Sequence, residues 1–88
     1  MRSSFCTLAV AAHGPFYVVA RNDDRILTFS ATLKYVGVLA RHGKAPGGII
    51  YPTGVAVDPR GDIYVADSGN NRIERFTSSG ALNAIWMP

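Results

Sequence analysis

Three segments of the sequence collect side chains that could bind an anion. Residues 21–25 read Arg-Asn-Asp-Asp-Arg, residues 41–48 read Arg-His-Gly-Lys-Ala-Pro-Gly-Gly, and residues 67–72 read Asp-Ser-Gly-Asn-Asn-Arg. Arg and Lys recognise carboxylate and phosphate groups, and Arg can do so through two parallel hydrogen bonds. The three segments together hold five cationic and three carboxylate side chains, a net charge of +2. Anion binding is therefore the first chemistry to consider.

Residues that could catalyse a reaction are few and scattered. The chain has two histidines, His13 and His42, and one cysteine, Cys6, whereas a catalytic zinc typically needs three protein ligands. No G-x-S-x-G, P-loop or H-E-x-x-H motif occurs. A metal at Asp67 would need several converging oxygens, which one repeat does not offer. We therefore predict a protein without catalytic activity, cofactor or metal site of its own.

Length and composition fit one small globular unit or a piece of a larger one. The chain has 88 residues, of which 48% are hydrophobic and 17% charged, and its net charge is +3. No apolar run is long enough for a membrane-spanning helix, and a single cysteine excludes an internal disulfide. No basic run of five to eight residues occurs, so nucleic acid is permitted as a partner without being favoured.

The N-terminal residues allow two interpretations. Met1-Arg2 followed by the apolar stretch Phe5–Ala12 could be a short secretory signal with a small-residue cleavage site. The repeat described next assigns the same residues to a strand. Localisation otherwise stays open.

The sequence repeats itself after 47 positions. Cys6–Phe29 aligns with Thr53–Phe76 without a gap, with 8 identities in 24 positions. The identical pairs are Ala9/Ala56, Val10/Val57, Gly14/Gly61, Tyr17/Tyr64, Val18/Val65, Arg25/Arg72, Ile26/Ile73 and Phe29/Phe76. This period is close to that of β-propeller blades.

Each unit is predicted to hold four short strands separated by turn residues. The predicted strands are Thr7–Val10, Phe16–Ala20, Arg25–Ser30 and Tyr35–Ala40 in the first unit, and Gly54–Val57, Ile63–Asp67, Arg72–Thr77 and Leu82–Trp86 in the second. Several are apolar throughout, where a sheet with one wet face would alternate. Such strands need cover on both faces, as in a blade between two other blades. We predict an all-β protein of two four-stranded antiparallel blades.

The second unit closely resembles an NHL repeat. Residues 52–76 contain Pro-Thr-Gly-Val-Ala-Val-Asp, a Gly turn, Ile-Tyr-Val-Ala-Asp and Gly-Asn-Asn-Arg-Ile before Phe76. The first unit is degenerate, because Ala11, Ala20 and Arg21-Asn22 replace Asp58, Asp67 and Ser68-Gly69. Members of this family form β-propellers, commonly of six blades. The resemblance implies an incomplete ring with blade one at about 6–40, a connector at 41–52 and blade two at about 53–87.

The resemblance implies several functions. Known roles of the family include ligand binding, the RNA- or protein-binding tail of tripartite-motif proteins, and catalysis in peptidyl-amidoglycolate lyases. We predict a non-catalytic binding or scaffolding module for a protein or a small anionic ligand. The alternatives are a piece of a propeller enzyme of the lyase type and a piece of an RNA-binding domain. We also predict no membrane contact, and either self-association or further blades to close the ring.

The resemblance also implies where a ligand would bind. In such propellers the turn between the second and third strands shares one face with the connector, and this connector face is where partners bind. The candidate binding residues are Arg21, Arg25, Arg41, His42, Lys44 and Arg72. Asp67, Gly69, Asn70 and Asn71 are predicted to be structural turn residues, with the Asp67 carboxylate accepting backbone N–H bonds within its turn.

Two of the candidate cations have a competing structural interpretation. Arg25 and Arg72 recur at one repeat position, so they either brace turns or contact a ligand directly. Arg21, Arg41 and Lys44 break the repeat, which favours a binding role for these three.

Overall fold

The computed structural model describes residues 8–12 and 14–88, and its regular elements there are strands and single 3₁₀ turns. In chain order the strands are β1 Leu8–Val10, β2 Phe16–Ala20, β3 Arg25–Phe29, β4 Tyr35–His42, β5 Gly48–Ile49, β6 Pro52–Val57, β7 Ile63–Asp67, β8 Arg72–Phe76 and β9 Leu82–Trp86. The 3₁₀ turns are Arg21–Asp23 and Ser68–Asn70. No helix in the described ranges is long and apolar enough to span a bilayer.

The strands form two sheets, and this confirms the predicted all-β class. Strands β1 to β5 make one sheet in sequence order, and β6 to β9 make the other. We call these sheets blade one and blade two. Neighbouring strands are antiparallel, except that β5 runs parallel to the end of β4, with Arg41 opposite Gly48 and His42 opposite Ile49. The addition of β5 was not predicted.

Strand ends differ from the prediction by one or two residues. β4 continues to His42 because β5 pairs with its last residues, and β6 begins at Pro52, which lies opposite Asp67. β3 and β8 stop one residue early, at Phe29 and Phe76. The predicted start of the first strand at Thr7, and blade one from residue 6, fall partly outside the described residues.

The hairpin turn that follows the first strand contains a glycine at positive φ in both blades, although the two turn sequences differ. In blade two, Gly61 has φ +90° and its N–H donates to Asp58 O over 2.9 Å. In blade one, Gly14 has φ +71° and its N–H donates to Ala11 O over 3.0 Å. Both positions need glycine's access to positive φ. The Asp58 carboxylate also accepts the N–H groups of Arg60 and Asp62, which Ala11 cannot do.

The core lies between the two blades. Blade one buries Tyr17, Val19 and Ile26, while blade two buries Ile63 and Val65. These side chains form one cluster, and β6 packs across β1 and β2. Because side chains alternate along a strand, each blade has one covered face and one outer face.

Candidate functional site

The connector lies between the 3₁₀ turns of the two blades. Each turn ends in a left-handed residue, Asp24 at φ 50°, ψ 52° in blade one and Asn71 at φ 56°, ψ 49° in blade two. Asp and Asn tolerate this conformation better than other side-chain-bearing residues. Both turns contact the connector, so the turns and the connector form one continuous surface.

Asp67 anchors the connector rather than its own turn. Its carboxylate is fully buried, and Oδ1 accepts a hydrogen bond from the Ile50 N–H at 2.7 Å. Oδ2 accepts from Asn70 Nδ2 at 2.8 Å and from Arg72 Nε at 3.0 Å. The backbone bonds predicted within the turn are not made, because the Asp67 carboxylate accepts the Ile50 N–H of the connector instead. That prediction is therefore wrong in its donor.

Arg72 holds the connector through three backbone carbonyls. Its side chain is 7% exposed. Nη1 donates to Lys44 O at 3.0 Å, and Nη2 donates to Ala45 O and Gly48 O at 2.9 Å. Nη2 also lies 3.0 Å from Glu74 Oε2. Arg72 therefore braces the connector, which lies 24 to 28 residues away in sequence.

Glu74 completes a buried charged cluster with Asp67 and Arg72. Its side chain is fully buried, and Oε2 accepts the Gly47 N–H at 3.0 Å. Oε1 has no hydrogen-bond partner among the described atoms. Burial raises the pKa of the Glu74 carboxyl above its ordinary value, against the opposing effects of the Gly47 N–H and Arg72. The carboxyl groups of Asp67 and Glu74 thus share one guanidinium in a buried site.

The other turn residues predicted to be structural also meet the connector. Gly69 N–H donates to Ile50 O at 2.7 Å, and a Cβ at Gly69 would lie 2.5 Å from that oxygen. Only glycine fits so close an approach. Asn70 Nδ2 donates to Gly43 O at 3.0 Å, and the Asn71 N–H closes the turn on Ser68 O at 3.1 Å.

Blade one holds the two ends of the connector through Asp24. His42 Nδ1 lies 2.7 Å from Asp24 Oδ2, and because a carboxylate only accepts, this nitrogen carries the proton. The Tyr51 N–H donates to Asp24 Oδ1 at 2.8 Å. The hydrogen bonds from His42 and Tyr51 lower the pKa of the Asp24 carboxyl below its ordinary value. His42 is thus a partner of Asp24 on the surface, with a side chain 68% exposed.

The cations that break the repeat lie on the outside of this surface. Arg41 and Lys44 are exposed, and within the described part of the chain neither side chain forms an ion pair. Arg21 lies over the ring of Tyr51, 4.9 Å from its centroid. Arg25 pairs with Asp23 at 3.1 Å, and the two side chains are 40% and 61% exposed. Arg25 therefore differs from Arg72, its repeat counterpart.

Several residues that contact the connector were not predicted from the sequence. Glu74 is not among the predicted site residues, although the repeat offers a signal, because blade one has Leu27 at that position. Neither Asp24 nor Tyr51, which is 51% exposed, is among the site residues predicted from the sequence. Their roles depend on contacts between segments far apart in the chain.

The connector is held to blade two by hydrogen bonds with Asp67, Asn70, Arg72 and Glu74. Among residues 8–12 and 14–88, no three His, Cys, Asp or Glu side chains come together as a metal site. Cys6 and His13 lie outside the described residues. The arrangement presents the exposed side chains of Arg41 and Lys44 on a connector whose backbone is bonded by the buried Arg72.

Comparisons with known proteins agree with the resemblance seen in the sequence. Residues 50–76 match the family model of the NHL repeat. Protein lin-41 of Caenorhabditis elegans is 35% identical over 68% of this chain, and E3 ubiquitin-protein ligase TRIM71 of Bos taurus is 37% identical over 81% of it. The chain spans only 5% and 8% of the lengths of these two relatives.

Proposed function

Because this chain belongs to the NHL-repeat family, we propose that it is a non-catalytic binding module that docks an acidic segment of a partner protein on its connector face. The observation that carries the proposal is that one cation of the connector face is buried and hydrogen-bonded, whereas two others are exposed. The guanidinium of Arg72 donates hydrogen bonds to the connector's carbonyls, whereas the side chains of Arg41 and Lys44 are exposed.

The rigidity of the connector supports this function. Arg72, Asp67, Asn70 and Glu74 each bond to connector backbone, so Arg41 and Lys44 project from a loop with little left to order. A preorganised surface loses less entropy when it binds. Positive charge on such a surface attracts acidic partners and raises association rates.

The nature of the partner is supported by one relative and by the charge pattern. TRIM71 is named as a ligase that joins ubiquitin to proteins, so a protein partner suits the module. Arg25 is paired with Asp23 and His42 with Asp24, which leaves the face only modestly positive. A nucleic-acid surface would be expected to carry a stronger basic stripe.

A charge reversal with a matched control tests the proposal. Binding of a labelled glutamate-rich peptide and of an oligouridine of equal net charge is measured by fluorescence anisotropy at low and moderate salt. Lys44→Glu should weaken peptide binding about tenfold at low salt and flatten its salt dependence. Arg60→Glu changes the net charge equally at the opposite end of the blade, where Arg60 is 78% exposed, and should have little effect.

Two outcomes would contradict the proposal. Equal losses in Lys44→Glu and Arg60→Glu would mean that net charge alone attracts the peptide. Tighter binding of the oligouridine than of the peptide would favour an RNA-binding module.

A further inference from the structure

The outer faces of the two blades match the two faces that already pack together inside the chain. Blade one covers Tyr17, Val19 and Ile26 against blade two, and the counterparts 47 residues later are Tyr64, Ala66 and Ile73 on the outer face of blade two. Ile73 is 46% exposed, whereas Ile26 is fully buried.

The reverse relation holds for blade one. Blade two covers Ile63, Val65 and Phe76, and their counterparts are Phe16, Val18 and Phe29, which are only partly buried. These three line an outer depression of about 390 Å³ together with Leu8 and Leu33. The outer face of blade one therefore has the chemistry of the face with which blade two packs on blade one.

The exposed apolar side chains at the edges follow the same rule. Val55 and Val57 of β6 and Leu82 of β9 pack against the core. Their counterparts are Leu8, Val10 and Tyr35, which are 57%, 50% and 58% exposed.

On blade two, Trp86 lies opposite Ile73 as the buried Ala40 lies opposite Ile26. Trp86 is 46% exposed. Among the described residues, the exposed apolar side chains Leu8, Val10, Tyr35, Ile73 and Trp86 thus lie where an interblade contact would cover them, and clustered exposure of this kind marks an interaction surface.

A groove on blade two lies at the position that corresponds to the β6 contact on blade one. Inside the chain, β6 packs across β1 and β2. At the corresponding place on blade two, a groove of about 320 Å³ crosses β6 and β7 and is lined by Gly54, Ala56, Tyr64, Ala66 and Ile73, among others. A β1 strand from a second chain would present Leu8 and Val10 to this groove.

We propose that a second copy of this chain docks blade one, led by β1, onto the outer face of blade two. The contact is head to tail, so each chain uses the outer face of blade one to contact one neighbour and the outer face of blade two to contact another. Repetition closes a ring where the rotation permits. Propellers have about four to eight blades, so such a ring holds two to four copies.

The residues that break the repeat favour a separate chain over a blade joined by a connector. In blade two the covered face carries Asp67 and Glu74, which receive the N–H groups of the connector. In blade one the same positions are Ala20 and Leu27. The outer face of blade one therefore has no carboxylate for a connector to bond to. An apolar partner surface that is not joined to blade one by a connector suits this face. The inference does not depend on the proposed function of the connector face.

Two single substitutions that block opposite faces test the proposal. Leu8→Asp charges the outer face of blade one, and Ile73→Asp charges the outer face of blade two. Mass is measured by sedimentation and light scattering of the 88-residue chain over a range of concentrations. The unsubstituted chain should form a discrete oligomer or a growing fibre, and each variant alone should be a monomer. Mixed at equal concentration, the two variants should form a one-to-one dimer, because each retains the face that the other lacks.

Controls make the result specific. Val36→Asp introduces the same charge at a side chain 64% exposed, beside the contact within the chain rather than on an outer face, and should assemble normally. Circular dichroism checks that each variant folds. Leu8→Thr and Ile73→Thr, which keep strand-forming residues, replace any charged variant that does not fold and are judged by the same mixing result.

Either of two results would overturn the proposal. A folded monomer at all concentrations of the unsubstituted chain would show that a second copy does not cover these faces. Self-association of Ile73→Asp alone to the unsubstituted mass would show that like faces pair, which head-to-tail contact excludes.

Discussion

Arg25 and Arg72 show how one repeat position acquires two roles. The residues align in sequence, yet Arg72 is buried with Asp67 and Glu74 while Arg25 makes one exposed pair with Asp23. The difference follows from the neighbours, since blade one has Ala20 and Leu27 where blade two has carboxylates. A guanidinium needs such partners to be buried.

Arg72→Ala is expected to lower the free energy of unfolding by about 3–5 kcal/mol, because it leaves two buried carboxylates without their cation. Arg25→Ala is the matched control and should cost at most about 1 kcal/mol, as exposed pairs do. Urea unfolding followed by circular dichroism measures both. Equal costs at the two positions would mean that the buried cluster does not hold the connector.

Glu74 makes stability depend on pH in an unusual direction for a carboxyl group. Its pKa is raised by burial, so the folded state binds the proton more tightly than the unfolded state does. Stability from this group is therefore greatest at low pH and is lost as pH rises from the ordinary glutamate pKa through the raised value.

Glu74→Gln removes this dependence. The variant should gain stability relative to the unsubstituted chain as pH rises across that window, measured by urea unfolding at a series of pH values. Asp24, whose pKa is lowered, acts in the opposite sense and only as pH falls below the ordinary aspartate range. A constant difference between Glu74→Gln and the unsubstituted chain would contradict the assignment to Glu74.

At the scale of the elements, the strands were predictable because local signals agree. β2, β7 and β9 have the predicted bounds, since each is a short, mainly apolar segment between turn residues. β5 was not predictable, because two residues carry no periodicity and its pairing depends on β4. The connector contacts likewise join segments 17 to 28 residues apart.

The turn between the third and fourth strands has a residue at positive φ in both blades, although only blade two has a glycine there. Gly80 has φ +94° in blade two, and its counterpart Leu33 has φ 67°. Both N–H groups donate over 2.8 Å to the residue three before, Thr77 O and Ser30 O. A leucine in the left-handed region is strained, so the hairpin imposes this backbone even where the side chain opposes it. Leu33 gave no sign of a turn in the sequence.

At the scale of the whole molecule, repetition explains both the core and the exposed faces. One blade-to-blade contact buries the core, and the same two surfaces recur uncovered on the outside. A repeat unit that contacts only its neighbours gains stability each time another contact is added. The chain should therefore be less stable alone than in an assembly of copies.

This argument predicts that the melting temperature depends on concentration. If only the folded chain can assemble, a higher chain concentration stabilises the folded state by mass action. A stabilisation of about 1 kcal/mol raises the melting temperature of a domain of this size by about 4–8 °C. The apparent midpoint should rise by about 5 °C for each tenfold increase in chain concentration, measured by scanning calorimetry or circular dichroism. Leu8→Asp should melt at a lower temperature that does not change with concentration, because its blade-one face cannot dock. A midpoint of the unsubstituted chain that stays constant over a hundredfold range would show that the outer faces add no stability through a second copy.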